Sequence, residues 1–118
     1  MNARAPHAVT EALELAAAGK RVAFFGKPGP HVHSLLRAAA EVAPADARVR
    51  RANGLESVTF PNGGRVRFVS TKAKGPLRGH TIDAAYLPSW ELTRNEEFMA
   101  EVLPSFMDKQ LRIAVYIL

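Results

Sequence analysis

The sequence predicts an α/β protein, a three-layer, mostly parallel sheet carrying a β-hairpin insertion. Three observations predict it. A continuous apolar run at residues 22–25 and largely apolar runs at 82–87 and 111–118, interrupted by Asp83 and Arg112, have the length and the β-branched or aromatic content of buried strands. Segments of helical periodicity alternate with those runs. Asn62-Gly63 lies between two alternating stretches, which is the sequence signal of a hairpin turn.

Residues 10–18, Thr-Glu-Ala-Leu-Glu-Leu-Ala-Ala-Ala, are strong helix formers. Val9, Leu13 and Ala16-Ala17 share one face, and Gly19 ends the segment. Residues 1–9 then read as an N-terminal arm and 10–118 as the core of a single domain. Lys20-Arg21 leads into the first apolar run, and Gly26-Lys27-Pro28-Gly29-Pro30 is a tight loop. Residues 31–42 form a second helix with Val32, Leu35, Leu36 and Ala39 inward and Pro44 beyond its end. From 48 to 60 the pattern alternates poorly and then well. After the turn at Pro61–Gly64, Arg65-Val66-Arg67-Phe68-Val69 alternates basic with apolar. Residues 70–79 are a polar loop, and Pro88 stops the run at 82–87. Residues 95–106 have a helical split between Glu96, Glu97 and Glu101 and the apolar Phe98, Val102 and Leu103, broken by Pro104. Tyr86 reads as core. Trp90 and Leu92 beside it read either as core or as a surface anchor.

The chain has 118 residues, 47% of them apolar and 23% charged, which fits one globular domain. It has no Cys, which excludes a disulfide scaffold, a thiolate metal site and a Cys nucleophile. No apolar run approaches the ~18 residues of a membrane span. The N-terminus lacks the apolar segment of a secretory signal, so the expected location is the cytoplasm.

The net charge of +5 is unevenly spread. Residues 1–80 hold 13 Lys/Arg against 5 Asp/Glu, and residues 81–118 hold 3 against 6. Such asymmetry points to an acidic partner, of which nucleic acid is the commonest. Between residues 48 and 78 the basic side chains are Arg48, Arg50, Arg51, Arg65, Arg67, Lys72, Lys74 and Arg78, with Glu56 the sole acid. Arg65 and Arg67 share a strand face because the side-chain period is two. Few aromatics interleave there, so phosphate contact outweighs base stacking, and phosphate contacts carry no sequence information. Non-specific binding of duplex DNA is the expected form. The bland alternative is a solvated loop at Arg48, Arg50 and Arg51, with Arg65 and Arg67 paired to Glu56 across the hairpin.

The stretch Phe60-Pro61-Asn62-Gly63-Gly64-Arg65-Val66-Arg67-Phe68-Val69-Ser70, then Gly75…Leu77-Arg78-Gly79-His80-Thr81-Ile82-Asp83, resembles the ATPase domain of phage terminase large subunits, a P-loop NTPase (RecA-like) core. In that family a hairpin of the form NGS-R-I-x-F precedes G-x-x-R-G-x-x-x-D and the Walker B strand. Gly19-Lys20-Arg21-Val22-Ala23-Phe24-Phe25 looks like the family's second strand. Asn95-Glu96-Glu97-Phe98 looks like the start of the helix after Walker B. By order and spacing the resemblance covers about residues 11–118.

The departures concern catalysis. A phosphate loop needs Gly-x-x-x-x-Gly-Lys-Ser/Thr, whose backbone N–H groups cradle phosphate, and the chain has none. The family's first strand and that loop are therefore expected to be missing. The Walker B strand should end in Asp-Glu, and residues 82–87 are followed by Pro88-Ser89. The resemblance thus implies a shared fold without shared ATPase activity, and no catalytic residue, cofactor or metal is assigned. In the family the strand matching 111–118 lies beside the first strand. Losing that strand would bare an edge, which predicts a homodimer through 111–118 or coverage by the N-terminal segment.

His31 and His33 diverge on a helix and make a poor metal pair. His7 and His80 are isolated, and no serine sits in a Gly-x-Ser-x-Gly elbow. The expected protein is a non-catalytic, phage-type nucleic-acid binder. The alternatives are a module that binds a host or phage protein and, third, a nucleotide hydrolase using Lys27 and Glu91.

Overall fold

The computed structural model describes residues 3–27, 29–52, 54–72, 82–89, 96 and 112–117. Ala3–Arg4 form a two-residue strand, β1, which passes directly into helix α1 at Ala5–Ala17. The helix starts ahead of the expected Thr10. Its start signal is Pro6 in the first turn, where a missing N–H removes no intrahelical bond. The apolar stripe Ala8, Val9, Ala12, Leu13 and Ala16 runs through the extra turn, so much of the expected arm is helix. Gly19 follows the helix with φ +94°, a conformation that favours glycine.

Strand β2 spans Arg21–Gly26 and is buried from Val22 onward. Helix α2 spans His31–Val42, with Val32, Leu35, Leu36 and Ala39 buried as the periodicity required. The poorly alternating stretch after it is two strands, not one. These are β3, Arg48–Arg50, and β4, Ser57–Thr59, joined antiparallel through a loop with Gly54 at φ +81°. The Asn62-Gly63 turn then joins β4 antiparallel to β5, Arg65–Ser70. Strand β6 is Ala84–Pro88 and β7 is Arg112–Ile117.

Among the described residues seven strands form one sheet in the order β1-β7-β6-β2-β5-β4-β3. The pairs from β1 to β5 are parallel, and β5-β4-β3 is an antiparallel meander at one edge. From β1 to β2 and from β2 to β5 the chain advances in the same direction. Crossovers of one hand then put both helices on one face, and α1 and α2 share a single apolar core with the sheet. Among the described residues the architecture is therefore two-layered. The expected third layer, the helix at 95–106, lies outside the described residues except for Glu96, as do Trp90, Glu91 and Leu92.

Phe24 sits at the centre of the core. Its ring centroid lies 5.5 Å from Phe68, 5.1 Å from Tyr86 and 4.8 Å from Tyr116. One residue from each of four adjacent parallel strands thus builds an aromatic cluster around Phe24, which adds about 0.5–1.5 kcal/mol per pair to simple burial. The Tyr116 hydroxyl donates to the Phe25 carbonyl and the Tyr86 hydroxyl to Glu11 Oε1 at 2.6 Å, so both buried phenols find acceptors.

β1 pairs with β7 through Ala3↔Tyr116 and Arg4↔Ile117. A two-residue first strand from the N-terminal segment thus stands beside β7, where that strand was expected to be missing and the edge bare, and a dimer is not required to cover Tyr116–Ile117. Among the described residues no helix is long and apolar enough to cross a membrane.

Candidate nucleic-acid interface

Strand alternation sorts the meander into two faces. Val58, Val66 and Phe68 face the helices and are buried, and Val49 packs against the same core. Arg48, Arg50, Ser57, Thr59, Arg65 and Arg67 therefore line the opposite face. Pairing register arranges them in rows. Arg48 pairs with Thr59, Thr59 with Arg65, and Arg65 with Arg21 of β2. The next row runs Arg50, Ser57, Arg67, Ala23. Two arginine columns, on β3 and β5, thus flank a column of hydroxyl residues on β4.

Arg21, Arg48 and Arg50 are exposed, and Arg65 and Arg67 are half-buried. Arg67 Nη2 reaches the Gly54 carbonyl at 3.5 Å. Burial, then the Arg65 charge beside it, lowers the Arg67 pKa, with Glu56 acting the other way.

Glu56 lies within electrostatic reach of Arg67 and also contacts α2. It is 6% exposed and its Oε2 lies 3.4 Å from His33 Nε2 on α2. Asp83 flanks the row beyond Arg21, its Oδ2 accepting the Arg21 backbone N–H at 2.9 Å while its own N–H donates to the Arg21 carbonyl at 2.8 Å.

The eight basic residues singled out in the sequence separate accordingly. Arg48, Arg50, Arg65 and Arg67 come together, and the exposed Arg51 follows directly after β3. Lys72 is exposed but lies in the turn beyond the far end of β5, whose last residue Ser70 is already roughly 10 Å along the strand from Arg67 at 3.3 Å per residue. Lys74 and Arg78 lie outside the described residues. Arg21 is the member that sequence reasoning missed. Its place in the row comes from long-range parallel pairing, although the basic Lys20-Arg21 pair ahead of an apolar strand was visible.

The second place to look for a ligand is the carboxyl end of the parallel sheet. The chain leaves β2 toward β5 on one side, while β6 lies on the other, which makes a switch point of the kind that binds cofactors in open α/β sheets. Here the Lys27 N–H donates to His31 Nδ1 at 2.8 Å, and prolines at 28 and 30 carry no N–H. Burial and the Lys27 charge lower the His31 pKa, which favours the neutral ring that this bond needs. The loop thus spends on its own structure a donor that a phosphate would require. Among the described residues no group of three or more His, Asp or Glu is placed to hold a metal ion.

No protein-family model, curated protein or solved structure matches the chain.

Proposed function

We propose that the chain is a non-catalytic, phage-type nucleic-acid-binding protein on a degenerate terminase-like ATPase fold, gripping phosphates through its arginine face. The carrying observation is the alignment of Arg21, Arg65 and Arg48 in one cross-strand row, with Arg67 and Arg50 in the next. Guanidinium groups suit phosphate because their donors form a planar fork, and the half-buried Thr59 stands between Arg48 and Arg65 in register, whereas Ser57 is buried.

The terminase-like part of the reading draws support from strand order. The first strand stands beside the last, followed by β6 and β2, which is the neighbour relation the family implies for its first strand. The direct passage from β1 into α1 leaves no loop to cradle a triphosphate, which favours binding over hydrolysis.

The test is fluorescence anisotropy with labelled DNA over a range of salt. Four or so phosphate contacts give log K against log salt a slope of about −3 to −4. Arg48→Ala with Arg50→Ala, both exposed and outside the core, should weaken binding about tenfold or more and flatten that slope by nearly 2. Absence of binding at low salt, or binding indifferent to these substitutions, rejects the proposal. A discrete acidic protein captured through the same arginines would replace nucleic acid as the partner.

A further inference from the structure

The two arginine columns are separated by one strand, β4, and by nothing else. Adjacent strands lie about 4.8 Å apart, so the Arg48–Arg50 column and the Arg65–Arg67 column stand roughly 10 Å apart. Within each column the guanidinium-bearing residues are two apart, or about 6.7 Å along the strand. Between the columns Ser57 and Thr59 are short, so the middle of the face is recessed relative to both sides.

We infer that this face straddles one groove of a nucleic-acid duplex, each column following one of the two phosphate backbones that border it. This rests on the nucleic-acid reading above and deepens it by naming the double-stranded form. The major and minor grooves of B-DNA are about 12 and 6 Å wide, and the column spacing falls between them, within the reach of flexible arginine side chains. A single strand has one backbone and leaves the other column without phosphate. The six meander residues on the face are arginine, serine and threonine, so exposed bases find no aromatic ring to stack on, which is the usual source of single-strand affinity. The same six meander residues include none of the aromatic anchors that protein partners favour.

The experiment compares one blunt DNA duplex with each of its separated strands, at several salt concentrations, for the wild type and for substitutions in each column. The β3 column is removed by Arg48→Ala/Arg50→Ala. The β5 column is removed by Arg65→Ala/Arg67→Ala. Because Arg65 and Arg67 are half-buried, the exposed Arg21→Ala samples the same side of the face should that pair fail to fold. The wild type should bind duplex at least fivefold tighter than either strand. Loss of either column should remove most of that preference, leaving duplex and single strand bound alike. Single strands bound as tightly as duplex, or a duplex preference that survives loss of a column, overturns the straddling geometry while the nucleic-acid reading stands. Failure to bind either form at low salt removes both.

Discussion

Gly64 lies against the carboxyl-terminal turn of α1 so closely that a Cβ there would stand 1.9 Å from the Ala16 carbonyl oxygen. The obstacle is backbone on a packed helix and has no rotamer to yield. Gly64→Ala should therefore destabilise by about 3 kcal/mol, at the upper end of overpacking costs, because hairpin and helix must separate. Gly29→Ala is the comparison, since its Cβ meets nothing within 4 Å and only φ +95° opposes it. That change should cost about 1–2 kcal/mol. Urea denaturation of the two variants checks the order, and equal losses would mean that space at Gly64 is not the constraint.

The same contact is fastened by Asn62. Its Nδ2 donates to the Ala17 carbonyl at 2.8 Å, and its Oδ1 accepts the Gly64 N–H at 2.9 Å. One side chain thus serves as a helix cap and as a turn former, which is why asparagine and not merely a flexible residue belongs there. Asn62→Ala should cost about 1–2 kcal/mol, two modest hydrogen bonds. Asn62→Asp keeps the acceptor for Gly64, loses the donor for Ala17 and puts a negative charge at a helix carboxyl end. It should be no better than the alanine variant in thermal melts.

These contacts explain what was legible in the sequence. The limits of α2 followed from its period and its neighbouring prolines, and the Asn62-Gly63 turn fixed the hairpin, because local chemistry determines both. The division of residues 48–60 into β3 and β4 does carry a signal, Asn53-Gly54 with Gly54 at φ +81°, the same pair as Asn62-Gly63, but the strands beside it are three residues long and their poor alternation masks it. Nor was the early start of α1, where Pro6 does the work expected of a capping side chain. At the candidate interface, the shared face of Arg65 and Arg67 came directly from strand period. The addition of Arg48, Arg50 and Arg21 depends on register between strands distant in sequence, which a single sequence does not encode locally.

Thr71 is 4% exposed, and its hydroxyl has no hydrogen-bond partner among the described residues, although its backbone N–H donates to the Gly26 carbonyl at 3.0 Å. A buried hydroxyl left unsatisfied costs about 1–3 kcal/mol of desolvation. Valine has nearly the same shape without that group. Thr71→Val should be neutral or should stabilise by up to about 1 kcal/mol, whereas Thr71→Ser should destabilise, since it keeps the hydroxyl and removes a methyl. A valine variant that melts well below the wild type would assign the hydroxyl a bonding role.

His31 makes stability depend on pH in a definite direction. Its Nδ1 must carry a lone pair to accept the Lys27 N–H, and burial followed by the Lys27 charge holds its pKa below the ordinary value. The unfolded chain takes up a proton near pH 6.5, where the folded chain does not. The stabilisation is therefore complete above that pH and is lost as the pH falls from about 6.5 through the lower folded value. Melting temperature should decline between pH 7.5 and 5.5. In His31→Asn an amide oxygen can still accept from Lys27 but does not titrate, so the decline should be shallower. Because His7, His33 and the carboxylates are unchanged in that variant, the difference between the two pH profiles isolates His31. Parallel profiles would exclude the ring as the titrating group.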